Sequence, residues 1–372
     1  MPVRELRLKP GRRQYGLREN EKNDDLLIRT LRMLAPGTTL HEALENILRS
    51  RTGALIVIGD SEQVLSLVNG GFRIDADTSA AGLYELAKMD GAIILSSDTH
   101  RILYANAHLT PNPVVPAVET GIRHRTAERV ARQTGELVIS ISQRRNVITI
   151  YHGALRFILR DLGVILAKAN QALATLERYK AVLQQVLANL SAVEFEDVAT
   201  LYDAVTGIQR AQLVNRIASE IERFIVELGS EGRLANMQLE EMYTLIQDEG
   251  LLVIRDYMVE NKRADEITAL LEQWSDEELL DLSMIAKALG YANSSNLDTP
   301  VTPRGYRLLH KITRLPAGVI DNLVARFKSL PAVLDASIGE LDTVEGIGEV
   351  RAKAIKDGLR RLREQVLLDR QI

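Results

Sequence analysis

Apolar positions in the first 150 residues fall into short runs bounded by polar turns, and these runs predict the elements of one domain. Leu40, Leu44, Ile47 and Leu48 recur at helical spacing across Thr39 to Arg51. Gly53 then opens the run Ala54 to Ile58, which reads as a buried strand. Ser79 to Lys88 reads as a short helix capped by Ser79. The run Gly91 to Leu95, the polar turn Ser96 to His100 and the return through Ile102, Leu103 and Tyr104 predict a hairpin. Helical character from Thr126 to Gln133 stops at Gly135. Leu137 to Ser142 and Asn146 to Tyr151, joined by Gln143, Arg144 and Arg145, predict a second hairpin. Such interleaving predicts an α/β domain whose mixed, partly antiparallel sheet is flanked by helices.

From Ala154 the period changes. Leu155, Leu159, Leu162, Leu166, Ala169, Leu173, Leu176, Leu183, Leu187 and Leu190 alternate steps of four and three, and only Lys180 breaks the stripe. This heptad seam predicts one unbroken helix from Ala154 to Asn189, about 54 Å long at 1.5 Å per residue. The seam fits a spine that spaces or oligomerises the end domains, and equally the core stripe of a compact bundle. Helical spacing continues to about Gly290, and residues 291–305, with Asn293, Ser294, Ser295, Asn296, Pro300 and Pro303, read as a polar linker. The expected division is a loose basic arm over 1–25, the α/β domain over 26–152, a helical spine over 153–300 and a tail over 301–372.

Charge separates the last two parts. The net charge of −4 conceals a net of −11 over residues 151–300 and of +4 over residues 301–372, where 13 Lys/Arg face 9 Asp/Glu. A basic tail behind an acidic middle suits a polyanionic partner for the tail alone, or simply scattered solvated charge. The absence of cysteine rules out disulfides and thiolate metal sites. No run reaches the roughly 18 apolar residues of a membrane span, and no signal peptide is seen, so a cytoplasmic protein without membrane partners is expected.

The sharpest local pattern in the tail runs from Leu341 to Ala352. A helix is expected to end near Leu341, Gly346 and Gly348 permit a tight turn around Ile347, and a second helix starts near Glu349. Two glycines let backbone N–H groups approach a phosphate, and the new helix presents its positive end there. Arg351, Lys353 and Lys356 stand beside it. The pattern resembles a helix-hairpin-helix motif, which grips DNA phosphates without reading bases, and Leu315 to Ile320 resembles a degenerate first copy. A plain interhelical turn is the alternative.

Two segments of the first domain carry candidate chemistry. Asp90, Gly91 and Ala92 put a carboxylate at the mouth of an apolar strand, next to a residue with no side chain. Thr120 to Ala127 puts Arg123, His124, Arg125 and Thr126 on a loop entering a helix, where anions are favoured and guanidinium forks match phosphate oxygens. Phosphoryl or nucleotidyl transfer is the natural class for such a set. An Asp at a strand end is also a common turn residue, and an Arg-His-Arg triplet a common solvated stretch.

Taken together, Asp90-Gly91-Ala92 and Arg123-His124-Arg125-Thr126 resemble the paired signatures of the diadenylate cyclase domain family. The order of cyclase domain, helical spine and helix-hairpin-helix tail, from about Thr39 to Arg363, resembles that of the DNA integrity scanning (DisA) family. The resemblance implies that two domains face each other, each holding one ATP, and that the 3′-hydroxyl of each attacks the α-phosphate of the other. It implies that Asp90 activates the hydroxyl or holds Mg²⁺ or Mn²⁺, and that Arg123, His124 and Arg125 neutralise the polyphosphate. Thr126 would add a hydroxyl, Gly91 and Ala92 room for the nucleotide, Leu109 a surface for adenine and Ser142 a base contact. Ile122 stands where the family usually has Thr, so one hydroxyl contact is lost or replaced by backbone. A homo-octamer, sequence-nonspecific binding to branched DNA, a place on the nucleoid and a DNA-damage checkpoint role are also implied. No P-loop is present and the six histidines show no ligand spacing, so the metal is expected to arrive with ATP. The rival readings are a non-catalytic DNA-scanning protein that senses ATP or cyclic di-AMP, and a repair nuclease, which would need a carboxylate cluster.

Overall fold

Ala54–Ile58 forms the central strand, β1, buried along its whole length, in a computed structural model that describes residues 19–291 and 296–369. Helices α1 (Glu19–Met33) and α2 (Thr39–Arg49) precede it. After it come α3 (Glu62–Leu65), β2 (Val68–Asn69), β3 (Phe72–Asp77), α4 (Ala80–Leu86), β4 (Ala92–Leu95) and β5 (Arg101–Leu109). The domain is completed by α5 (Ile122–Thr134), β6 (Leu137–Ser142), β7 (Val147–His152) and β8 (Leu155–Ile158). The strands join in the order β2-β5-β4-β1-β6-β7-β8, with β3 also on β5. Among these strands only β1 and β4 run parallel; every other pair is antiparallel.

The period-two rule assigns the faces of this mixed sheet. Ala54, Ile56 and Ile58 share a core with Leu40, Leu44 and Ile47 of α2 and Leu83 of α4. Leu55 and Val57 point the other way, into a core with Ala127, Val130 and Ala131 of α5. Helices therefore cover both faces, which is why β1 reads as a continuous apolar run rather than an alternation.

The structure departs from the sequence reading in several places. Residues 1–18 of the expected basic arm lie outside the described residues, but 19–25 open α1 rather than a loose arm. The triplet at 123–125 sits in the first turn of α5, not on a loop, because Gly121 takes the N-cap position. The unbroken helix from Ala154 does not form. Gly153 (φ 57°) turns the chain back so that β8 pairs with β7, Leu155 against His152 and Ile158 against Thr149. Leu155 and Leu159 fit a helical spacing by coincidence. The long helix α6 (Leu162–Phe195) starts only after Asp161, whose Oδ1 accepts the Gly163 N–H at 2.8 Å. Its 34 residues span about 51 Å.

The described residues form two compact units, one of those up to 168 with 223–234, the other of 169–222 with those from 235 onward. The boundary crosses α6 and α7 (Leu201–Leu228). In the second unit Leu173, Leu176, Leu183, Leu187 and Leu190 of the heptad seam are buried. Among the described residues, five shorter helices lie between Arg233 and Leu289 and five more between Tyr306 and Asp369. Residues 292–295 of the expected linker lie outside the described residues, and the segment from Asn296 onward is bound rather than loose. Leu201 and Tyr202 donate their amides to Thr299 and Leu297, and Val301 donates to Ala199. Phe195 of α6 enters the core of the tail, so the helical region and the tail share one interior.

That interior holds an ion pair with no access to water. Arg307 is 0% and Glu194 1% exposed, and their side chains are in direct contact. Tyr257 donates its hydroxyl to the other Glu194 oxygen at 2.8 Å. Neighbouring Asp256 accepts the amides of Gly305, Tyr306 and Arg307 at 2.6–3.0 Å, capping helix Tyr306–His310.

Candidate active site

Strand alternation collects the first-domain candidates at one end of the sheet. Gly53 continues the α5-facing series of Leu55 and Val57, and Asp90 that of Ala92 and Ile94. Ser142 continues the Val138 series on β6, whose Ile141 lies opposite Ala54. Leu109, at the end of β5, belongs to the same core. Across this end lies the first turn of α5. Arg123 Nη2 stands 3.6 Å from Asp90 Oδ1, and the Asp90 side chain is fully exposed. A surface pair of this kind contributes little to stability, about 0–1 kcal/mol, so a ligand exchanges for either partner cheaply.

Gly53 makes the arrangement possible. A Cβ built there would lie 2.0 Å from Arg123 Nη1, so the guanidinium occupies the space a side chain would take. Sequence reasoning saw Gly53 only as the residue before a strand, because its partner is 70 positions away. α5 has no capping side chain at Gly121, which leaves its first amides open to an anion. Arg125 is exposed beside them, Thr126 is half-buried, and Ile122 is 78% exposed.

Other expected contacts are placed differently. Ala92 is 1% and Leu109 6% exposed, so their side chains fill the core beneath α5 rather than a nucleotide surface. Gly91 makes room for β5, not only for a ligand: a Cβ would lie 2.6 Å from the Asn106 backbone, at a bulge where Asn106 adopts φ 51°. Ser142 Oγ accepts the Arg145 amide at 3.3 Å and so braces the β6–β7 turn.

His124 faces inward. Its Nδ1 lies 3.1 Å from the Tyr151 hydroxyl, and its Nε2 is buried without a partner. Burial, with the charges of Arg145, Arg123 and Arg156, holds its pKa below the ordinary value against the opposing pull of Glu119. Tyr151 donates to Glu119 at 2.9 Å, and Arg156 Nε donates to the same carboxylate oxygen at 2.7 Å. Burial opposes ionisation of Glu119, but these two donors outweigh it and lower its pKa. A cavity of about 330 Å³ lies behind α5, lined by Val118, Glu119, Glu128, Arg132, Tyr151 and Arg156 among others, and not at Asp90.

Comparison with known proteins decides the family. Residues 41–155 match the family model described as DisA bacterial checkpoint controller nucleotide-binding (DAC), and residues 159–298 match the DisA bacterial checkpoint controller linker region. The DNA integrity scanning protein DisA of Clostridium botulinum strain Loch Maree is 55% identical over 349 residues, 94% of this chain and 99% of that one. The DisA of Clostridium perfringens strain 13 is 54% identical over 350 residues, with the same two coverages. That of Clostridium kluyveri is 56% identical over 339 residues, 91% of this chain and 96% of the relative. The chain belongs to the DisA family. Its N-terminal domain is a diadenylate cyclase domain.

In this DisA chain the tail carries two helix–turn–helix units. Helix Tyr306–His310 is followed by Ala317–Phe327, and Ile338–Asp342 by Glu349–Asp369. They repeat at a spacing of 32 positions. Arg314 (φ 65°) matches Gly346 (φ 83°), and the turn bond from Leu315 to Ile312 matches that from Ile347 to Val344. In the second turn Ile347 anchors the core at 7% exposure, while a Cβ on Gly348 would meet nothing. Lys353 points outward, and the Arg351 guanidinium bends back to the Gly346 carbonyl. Lys356 does not stand free beside the turn: its ammonium donates to Leu334 O at 2.5 Å, at the end of helix Leu330–Asp335.

Proposed function

We propose that this chain joins two ATP molecules into cyclic di-AMP and releases two pyrophosphates, with two copies of the first domain face to face. The observation that carries this reading is the meeting of Asp90 and Arg123, 3.6 Å apart, on an open face above Gly53. The site is a surface, not an enclosure, so the second nucleotide must come with a second domain. In each half, Arg123, Arg125 and the open amides of α5 hold the triphosphate and take up the charge that develops on pyrophosphate as it leaves. Thr126 adds a hydroxyl at the same turn. Asp90 draws the proton from the 3′-hydroxyl as its oxygen bonds to the partner's α-phosphorus. Ser142 and the backbone edge at Leu109 border the base.

A divalent cation fits this set as a companion of ATP. Among the described residues no cluster of three or more His, Cys, Asp or Glu is able to hold a metal unaided. Asp90 is an exposed carboxylate able to serve as the protein ligand of a Mg²⁺ or Mn²⁺ already carried by the phosphates. Such an ion would neutralise phosphate charge.

The tail serves as the DNA-binding part. The second turn, with Gly346, Ile347, Gly348, Arg351 and Lys353, holds backbone phosphates of branched DNA, and Lys356 supports it from beneath. The first role belongs to the α/β domain, which β8 carries past the boundary expected at 152, the spacing role to the helices from α6 onward, and the DNA-binding role to 301–372, in a homo-octamer that pairs the cyclase faces. Among the described residues no helix is long and apolar enough to cross a membrane. Incubation with ATP and Mg²⁺ or Mn²⁺ tests the reaction. Cyclic di-AMP and pyrophosphate in a 1:2 ratio are expected, with output lowered by a four-way junction. ADP and phosphate as products would contradict the reading, and indifference to the junction would sever the tail from the cyclase.

A further inference from the structure

The signature triplet contains one residue that the proposed chemistry does not use. Arg123 and Arg125 can meet a triphosphate, but the His124 Nε2 is buried and its Nδ1 is turned to the Tyr151 hydroxyl. Its bonds run instead to β7. The phenol proton of Tyr151 goes to Glu119, because a carboxylate oxygen can only accept. The phenol oxygen is then left to accept, so the proton at 3.1 Å sits on His124 Nδ1. Nε2 is the bare, buried nitrogen, and protonating it would create an N–H with no acceptor.

Glu119 is itself held from two sides. Its carboxylate receives Tyr151 and Arg156, while its amide and that of Val118 donate to Glu128 Oε2 at 3.1 and 2.9 Å. Glu128 is 5% exposed and paired with Arg132 at 2.9 Å. All these groups stand on α5, the segment before it, β7 or β8. Because Gly121 supplies no side-chain cap, the link from His124 to Tyr151 ties the first turn of α5 to the sheet.

We propose that Glu119 and Tyr151 are positioning residues of the cyclase, holding His124 as an inward brace that fixes the turn on which Arg123 and Arg125 meet the nucleotide. The inference rests on the reading of that turn as the triphosphate grip. Neither residue touches substrate, so the effect falls on how well ATP is held rather than on the bond-making step.

Tyr151→Phe in the full chain tests it, since the ring stays in the core and only the hydroxyl goes. The KM for ATP is expected to rise about tenfold, with kcat changed much less. Solid-state ¹⁵N spectra of histidine-labelled protein, assigned with His124→Gln, are expected to lose the single Nδ1–H pattern at His124. Glu119→Gln keeps an acceptor for the phenol but removes the charge, and an intermediate rise in KM is expected; it carries the test if Tyr151→Phe fails to fold. A KM within about twofold of the parent in every variant that folds, beside an inactive Asp90→Asn protein, overturns the brace alone. An active Asp90→Asn protein overturns the reading of the site, and the brace with it.

Discussion

Asp90→Asn is expected to cut cyclic di-AMP synthesis by about a thousandfold, within the range for loss of a positioned base. The amide keeps the shape of the carboxylate but takes no proton and is a poor ligand for a hard cation. Because the side chain is fully exposed, nothing in the fold depends on it. ATP should bind at least as well as before: the change frees Arg123 from its partner at 3.6 Å and removes a negative charge from the path of the triphosphate. The expected signature is therefore a collapsed kcat, a KM equal or lower, and unchanged DNA binding by the tail. Lost DNA binding would mark a folding defect and withdraw the assignment.

Arg307→Met acts on stability rather than chemistry, and strongly. It leaves Glu194 with a buried charge and only Tyr257 to satisfy it. Breaking one side of such a pair costs about 3–5 kcal/mol. The thermal transition of the second unit is expected to fall by about 10 °C, at roughly 2–4 °C per kcal/mol for a unit of this size. Glu194→Leu with Arg307→Met should recover most of the loss, since replacing a buried pair by apolar groups is often neutral. Calorimetry of the three proteins checks this, and a drop below about 1 kcal/mol for the single change would mean the pair is not sealed from water.

Much of this architecture was legible because its signals are local. β1, the β4–β5 and β6–β7 hairpins and the paired turns of the tail all announce themselves within a dozen residues, through apolar runs, polar turns and glycines. What failed was also physical. Leu155 and Leu159 match a helical spacing, yet Gly153 commits the chain to a strand before the spacing acts. β3 went unread although Phe72, Ile74 and Ala76 alternate with Arg73, Asp75 and Asp77: the run is short and charged, and five of its six residues are exposed. Asp90 and Arg123 were found as separate motifs, but their seat on Gly53 and the brace from His124 to Glu119 depend on contacts across the sheet. No window of sequence contains Gly53 and Arg123 together, and Tyr151 read simply as a strand residue. Lys356, counted with the exposed bases, proves to be tied to Leu334, since helix Leu330–Asp335 comes within its reach.

Imaging the assembly with 3′-deoxy-ATP, which keeps every phosphate but lacks the attacking hydroxyl, examines the central claim most directly. The triphosphate should lie against Arg123, Arg125 and the first amides of α5, with the bare 3′-carbon of each nucleotide facing the α-phosphate of its counterpart across two facing domains. Nucleotides held away from Asp90, or sites with no second nucleotide within bonding reach, would contradict it.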